Sequence, residues 1–151
     1  MRISAKADYA VRAAIELVAR GQEPVKGDVI SEAQDIPLNF LENILGELKH
    51  TGIVASRRGA NGGYWIAKDP DEVTVADIVR AVEGPLASVR GDGPENLGYR
   101  GAAEPLQKVW VALRWNLRSV LEAVTLGDLV AGKLPETVTE ISDLPESWAA
   151  R

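Results

Sequence analysis

Apolar residues recur every three or four positions through most of the first fifty residues, a pattern that predicts three helices. The first helix is expected to begin after an N-cap at Ser4 and to end near Arg20. A short second helix is expected at residues 27–34. After the turn at residues 35–37, the third is expected at residues 38–50. Its predicted buried stripe consists of Phe40, Leu41, Ile44, Leu45 and Leu48.

Two short runs rich in β-branched and aromatic residues follow, at Ile53–Ser56 and Tyr64–Ala67. Between them lie three glycines, an asparagine and the pair Arg57-Arg58, a composition typical of a hairpin tip. A helix–turn–helix followed by a β-hairpin is a winged helix–turn–helix, in which the third helix lies in the major groove of DNA. The alternative is a solvated hairpin whose arginines only maintain solubility.

The second half of the chain begins with a fourth helix, which Thr74 opens and Gly84 ends. Residues 85–103 are rich in glycine and proline and are predicted to form a long loop, which is usually functional or mobile. The longest helix is predicted at residues 104–124, and a short helix after Thr125 should reach Ala131. The acidic tail is expected to be loosely ordered apart from Trp148.

The longest helix carries apolar residues at spacings of 4, 3, 4, 3 and 4, which is a heptad seam. This seam favours a homodimer interface, although the helix could instead cover the core of its own domain. The residues assigned to the interface are Leu106, Trp110, Leu113, Leu117, Val120 and Val124.

These elements together predict a mainly α fold with a small β-hairpin. The winged helix–turn–helix domain is assigned to residues 1–84, and a sensor-type loop to residues 85–103. A dimerisation helix and a short C-terminal helix are assigned to residues 104–131. The acidic tail is assigned to residues 132–151.

The net charge of −5 conceals an uneven distribution. Residues 1–68 carry 9 Lys and Arg against 8 Asp and Glu, whereas residues 69–151 carry 8 against 14. The stretch from Leu48 to Lys68 contains four basic residues, Lys49 among them, and no acidic residue. Since salt screens charges within about 8–10 Å, a local basic face is sufficient for binding DNA phosphates.

The chain has no cysteine, and His50 is its only histidine. Disulfides, thiolate zinc sites and cysteine-ligated clusters are excluded, and neither a metal nor another cofactor is expected. No nucleophile–base pair can be assembled from these residues, so an enzyme is not expected. The sequence shows neither a membrane-spanning run nor a signal-peptide pattern, and the protein is expected to be soluble and cytoplasmic.

Several segments together resemble the Rrf2 family of winged-helix transcription regulators. The segments are 1–10, 40–45, 48–54, 58–64, 78–84 and 124–129, so that the resemblance covers about residues 1–131. The resemblance implies a homodimer that binds a palindromic operator in double-stranded DNA, usually as a repressor. A winged-helix module that binds another protein instead of DNA is the alternative, but it would favour an apolar wing rather than this basic one.

The resemblance also implies roles for individual residues. Lys6 and Tyr9 would contact phosphates, and Arg58 would enter the minor groove. Phe40 and Tyr64 could equally be core residues, and Glu42 could either accept a hydrogen bond from cytosine or be a surface charge. The complete set assigned to DNA binding is Lys6, Tyr9, Asn39, Phe40, Glu42, Asn43, Lys49, Arg57, Arg58 and Asn61.

One departure from the family pattern concerns the loop at residues 86–103, where cluster-binding members carry three cysteines and this chain has none. Asp8 occupies a position that supplies a carboxylate ligand in one such sensor, but an exposed or salt-bridged Asp8 is expected here. The chain is therefore predicted to be a cluster-free member. Arg90, Tyr99 and Arg100 favour a small anionic or aromatic effector. Alternatively, the loop is a relic and the protein is regulated by its abundance or by a protein partner.

Overall fold

The computed structural model describes residues 2–150. Seven helices and one hairpin follow one another along these residues. Their bounds are α1 Ala5–Arg20, α2 Gly27–Gln34, α3 Leu38–His50, β1 Val54–Arg57, β2 Gly63–Ile66, α4 Val75–Glu83, α5 Leu106–Leu121, α6 Leu126–Ala131 and α7 Glu136–Ser142. Single 3₁₀ turns lie at Pro94–Asn96, Gly101–Ala103 and Pro145–Trp148.

Helix α1 lies at the centre of the core and contacts α2, α3, α4, α6 and β2. Ser4 caps it as predicted, since its hydroxyl oxygen accepts a hydrogen bond from the Ala7 backbone N–H at 3.0 Å. Small side chains at Ala10, Ala13 and Ala14 are fully buried and allow neighbouring helices to approach closely. Large aliphatic residues from the surrounding helices complete the core, including Leu17, Ile30, Leu41, Ile44, Leu45, Leu48 and Ile78.

The two strands form an antiparallel hairpin in which Val54 faces Ile66 and Arg57 faces Gly63. The strands are therefore displaced by one residue from the predicted bounds. Strand β1 begins one residue later than predicted, because Ile53 precedes the strand and is buried in the core, and it continues through Arg57.

The polypeptide returns to this domain after α5. Thr74 and Thr125 form an isolated antiparallel bridge, and each caps the helix that follows it through a reciprocal bond with an aspartate. Leu126 is fully buried in the same core as α1. Helices α1–α4, the hairpin and α6 thus pack around one core, and we call them together the winged-helix body; it includes α6, which the sequence analysis assigned with the dimerisation helix.

Helix α5 is shorter than predicted at both ends, and this removes Val124 from the predicted dimer seam. The helix ends at Leu121, and Val124 lies beyond it with only 6% of its surface exposed. Its carbonyl accepts a hydrogen bond from the Val75 N–H at 2.9 Å, so it joins α5 to the winged-helix body. Residues 85–121, which leave the body at Gly84 and return at Glu122, are called the outer segment below.

The loop and the tail are more ordered than the sequence indicated. The predicted loop contains two 3₁₀ turns and buries Pro94 and Leu97. The tail forms α7, which contacts α5, and a final turn in which Trp148 is largely exposed. Proline residues that suggested disorder stand instead at the starts of these elements, where a missing N–H has no cost.

Candidate nucleic-acid interface

The outward face of α3 is mainly polar, and its exposed large apolar residues are Leu38 and Phe40. Asn39, Glu42 and Asn43 are exposed, and their side chains make no hydrogen bond within residues 2–150. Phe40 belongs to this face as well, with 56% of its surface exposed. Its predicted place in the buried stripe was wrong, because Leu41, Ile44, Leu45 and Leu48 already supply the core side of the helix.

The turn between α2 and α3 is braced from α1. The Arg12 guanidinium donates to the Gln34 carbonyl, and the Gln34 side-chain amide donates to Glu16 at 2.8 Å. The hydrogen bond from Gln34 is the main cause that lowers the pKa of Glu16, with a further contribution from Arg20. Asp35 adopts the left-handed conformation (φ 50°) that the tight turn requires. The orientation of α3 is thereby fixed against α1.

A groove of about 680 Å³ lies between the N-terminal turns of α1 and the outward face of α3. It brings together five of the predicted DNA-binding residues, namely Lys6, Tyr9, Phe40, Glu42 and Asn43. The ammonium of Lys6 forms an ion pair with Glu47 at 2.9 Å, with both side chains about 40% exposed. Such an exposed pair contributes little free energy, so Lys6 can exchange Glu47 for a phosphate.

The wing presents its arginines differently. Arg57 donates to the Asn61 carbonyl at 3.1 Å across the hairpin tip, so its guanidinium braces the turn. Arg58 is exposed and makes no ion pair or hydrogen bond within the described part of the chain. Of the two arginines, Arg58 is therefore the one with all its donors available to a ligand.

Val25 fixes the position of the wing, because it pairs with Tyr64 of β2 as a residue of a third strand would. The backbones of Val25 and Tyr64 exchange hydrogen bonds of 2.8 and 2.9 Å. A Cβ at Gly63 would lie 2.6 Å from the Val25 backbone, and one at Gly62 would overlap the Arg57 carbonyl. Both glycines are needed for this close approach. Tyr64 packs partly buried against the core, which agrees with the packing alternative for this residue.

Asn39, Lys49 and the wing residues do not line the groove between α1 and α3. Conversely, the sequence interpretation did not identify Gly46 and His50, which do line it. Gly46 follows Asn43 by three residues and His50 follows Gly46 by four, so all three lie on the same helix face, a signal that was present in the sequence.

Helix α5 has no fully buried residue, although it is rich in apolar side chains. The remaining seam residues are all half-buried; they are Leu106, Trp110, Leu113, Leu117 and Val120. Other apolar residues of the helix project into solvent, with Val109 and Trp115 exposed by 54% and 67%. The helix therefore offers apolar surface that the chain itself does not cover.

Two of the three predicted effector residues, Arg90 and Tyr99, are occupied by contacts with one another or with α5. The Trp110 indole N–H donates to the Tyr99 hydroxyl at 3.0 Å, and the Arg90 guanidinium lies 5.9 Å from the centre of the Tyr99 ring. Arg100 is exposed. Asp8 is ion-paired with Arg12 at 2.9 Å, as expected.

Residues 2–150 contain no helix that is both long and apolar enough to cross a membrane. Within the same residues, no three histidine, aspartate or glutamate side chains are grouped as a metal site requires.

A helix–turn–helix with an exposed polar recognition helix and a braced basic hairpin defines the class of winged-helix DNA-binding proteins. The comparisons identify the family. The profile described as "Rrf2: Iron-dependent Transcriptional regulator" matches residues 3–132. The chain belongs to the Rrf2 family, and it is a DNA-binding transcription regulator, not an enzyme.

Relatives of known sequence or structure agree with this assignment. A relative from Mycobacterium tuberculosis is named "Putative HTH-type transcriptional regulator Rv1287". It is 47% identical to this chain, and the match covers 95% of this chain and 89% of the relative. The solved structure of CymR, the global cysteine regulator of B. subtilis, matches with a TM-score of 0.74 and 31% identity, covering 88% of this chain and 98% of that one. The structure of T. potens IscR has a TM-score of 0.69 and 29% identity, with coverages of 100% and 93%.

The iron in the family description does not fit the donors of this chain. An iron–sulfur cluster is held chiefly by cysteine thiolates, and the sequence has none. The single imidazole, His50, lies on the groove of the recognition helix and not on the loop at residues 86–103. No step of the activity is therefore assigned to iron.

Proposed function

We propose that the protein is a homodimeric repressor that binds a palindromic operator without an iron–sulfur cluster. The observation that carries this proposal is the joint exposure of Arg58 and of the polar side chains on α3, Asn39, Glu42 and Asn43, none of which has a hydrogen-bond partner among residues 2–150. Polar groups that are left free on a rigid scaffold are available to base edges and phosphates. Binding to DNA would also place the protein in the cytoplasm.

The side chains on α3 favour particular bases. Asn43 and Asn39 carry amides of the type that pairs with adenine, and Glu42 can accept from the amino group of cytosine. Phe40 offers an apolar contact of the kind that thymine methyl groups make. Lys6, Tyr9 and Lys49 would hold the phosphates on either side, and Arg58 would enter the adjacent minor groove.

The apolar surface of α5 supports the homodimer. A helix whose exposed residues include Val109 and Trp115 gains free energy by burying them against a second copy. In a two-fold symmetric dimer the two α3 helices would face successive major grooves, so the operator would be palindromic. Repression would follow where such an operator overlaps a promoter.

An effector that acts on the segment between α4 and α5 completes the proposal. The predicted loop at residues 85–103 was expected to bind this effector through Arg90, Tyr99 and Arg100. Since Tyr99 already contacts Trp110 and Arg90, a ligand there would have to displace both contacts.

Selection from a random pool of DNA duplexes tests the DNA-binding proposal directly. The purified protein should enrich a palindrome with half-site centres about 10 base pairs, or a multiple of this, apart. Light scattering should give twice the chain mass of 16.2 kDa, both free and on the selected duplex. Enrichment of an asymmetric site, or of no site, would contradict the palindromic operator.

A further inference from the structure

A cavity of about 520 Å³ lies where the winged-helix body meets the outer segment. Its charged walls are Arg80 from α4, Arg114 and Arg118 from α5, and Glu95 from the 3₁₀ turn between these helices. Its apolar part is supplied by Pro85 and Leu86. We call it the arginine cavity. It is open to solvent on one side, and its volume lies within the range of small-molecule sites in proteins.

Three guanidinium groups face this cavity, but only two carboxylates are closely paired with them. Glu95 pairs with Arg114, and Glu122 is shared between Arg80 and Arg118. A third carboxylate, Asp77, lies 3.9 Å from Arg80, but its other oxygen accepts two hydrogen bonds from Thr74 in the α4 cap. Glu122 and Asp77 do not line the cavity, so its lining residues carry three positive charges and one negative charge.

The guanidinium groups also retain many free donors. Each arginine has five N–H groups, and these ion pairs use only one or two nitrogen atoms of each. The remaining donors of Arg114 lie on a side chain that is only 23% exposed, where hydrogen bonds to anions are stronger than in open water. The pKa of Glu122 is lowered mainly by hydrogen bonds from Arg80 and Arg118, which indicates a local field that favours negative charge.

We propose that the arginine cavity binds a small organic dianion, either a dicarboxylate or a phosphate ester, and that this ligand is the effector of the regulator. The oxygens of both ligands match the fork of donors on a guanidinium, and a short carbon skeleton would contact Pro85 and Leu86. The site differs from the predicted effector residues, since Arg90, Tyr99 and Arg100 do not line it.

The placement of the cavity gives the ligand a route to the DNA-binding surface. Arg80 and Gly84 belong to the last turn of α4 and its cap, while Arg114 and Arg118 belong to the predicted dimer helix. An anion that bridges the two helices favours one angle between the winged-helix body and α5. Because α5 would carry the partner subunit, that angle sets the separation of the two α3 helices. This regulatory step rests on the proposed function, whereas anion binding does not.

Calorimetric titration with succinate and with inorganic phosphate, at constant ionic strength with chloride as the balancing anion, tests the site. We expect saturable binding of at least one of these anions, at one per chain. Arg114→Gln should weaken it about tenfold or more through the loss of a charge-assisted pair. Glu95→Gln should tighten it severalfold, because the competing carboxylate is neutralised. A purely structural ion-pair network would give no saturable binding and no such opposite effects.

Two control variants locate the binding. Arg90→Gln removes an arginine of the same segment outside the cavity, and Arg58→Ala removes the free arginine of the wing; both should leave anion affinity unchanged. Loss of binding in either control, unchanged affinity in Arg114→Gln, or titrations that never saturate would overturn the site. Circular dichroism establishes that each variant is folded.

Operator affinity provides the second measurement. The wild-type protein should change its affinity for the selected duplex at saturating anion, and Arg114→Gln should bind the duplex but not respond. Anion binding with unchanged operator affinity would overturn the effector role. Failure of the proposed function is distinguishable, because the wild-type protein would then bind no duplex even without the anion.

Discussion

The winged-helix body and the outer segment differ in how much of their apolar surface they bury. The body buries nearly every core residue of the chain, from the alanines of α1 to Leu126 of α6. The outer segment buries only Pro94 and Leu97, and its 16-residue helix has no buried side chain. Since burial of apolar surface is the main favourable contribution to folding, the body supplies most of the stability of the chain, whereas α5 leaves apolar surface uncovered.

The largest effect should come from the core of the body. Leu45 is fully buried on α3, and Leu45→Ala should lower the free energy of unfolding by about 2–5 kcal/mol in urea titrations. The matched control is Val111→Ala on α5, an exposed position where the loss should stay below about 0.5 kcal/mol. Similar losses in the two variants would remove the contrast between the regions.

The second-largest effect should come from charged substitutions on α5, which we expect to dissociate the proposed dimer. We expect Leu113→Glu with Leu117→Glu to raise the dimer dissociation constant at least about a hundredfold, because unpaired charges would be buried. Light scattering at micromolar concentration measures this. Trp115→Glu tests whether the exposed side of the helix also belongs to the interface. Because Trp115 is 67% exposed, this substitution should leave the chain folded. A folded wild-type monomer would contradict the interface.

A smaller effect is expected from a substitution in the wing, which should lower operator affinity and leave the fold intact. Arg58→Ala should cost about 1–3 kcal/mol of operator binding at fixed salt, if its guanidinium enters the minor groove. Lys133→Ala removes the same charge from an exposed position far along the chain and should have little effect. Equal affinities of wild type and Arg58→Ala would exclude the assigned role.

A cap on α6 tests whether the body includes this helix. The Thr125 hydroxyl accepts from the Asp128 N–H at 3.0 Å, so Thr125→Ala should lower the free energy of unfolding by about 1 kcal/mol. The loss should appear in the single cooperative transition of the body. A separate early transition would mean that α6 unfolds with the outer segment.

The smallest expected effect is a loosening of the contact between α4 and α5 at acidic pH. The pKa of Glu122 lies below its ordinary value of 4.5 because Arg80 and Arg118 donate to its carboxylate. A lowered pKa stabilises the fold above the unfolded-state pKa, and this contribution is lost as the pH falls through the folded-state value. Below about pH 4.5, α5 should loosen from α4 before the body unfolds, as followed by tryptophan fluorescence. Glu122→Gln should lose this acid-dependent step.

Much of the body was predictable from the sequence because three of its helices begin with a residue whose side chain caps them. Ser4, Thr74 and Thr125 all cap the helices that they were expected to cap. Phe40 was misplaced because spacing alone cannot distinguish the last residue of a buried stripe from the first residue beside it. Its exposure is decided by α1 and α4, which cover only one side of α3.

The second half was harder to predict because its contacts are distant in sequence. The heptad spacing continued to Val124, but a bridge to the segment before α4 stops the helix at Leu121. The arginine cavity assembles residues from positions 80 to 118, and no short motif indicated that Arg80 and Arg114 would face the same space. Proline and glycine content predicted a loop, yet it did not reveal the 3₁₀ turns.

The return of the chain at Leu126 has a consequence for protein synthesis. A ribosome makes α5 before it makes α6, so the helix that is expected to recruit the second copy emerges while the body still lacks a fully buried core residue. The nascent body has an open site against α1 until α6 arrives. Completion of the winged-helix body is thereby tied to prior synthesis of α5, the helix that is predicted to dimerise, and a chain released early would contain neither a closed body nor a covered α5.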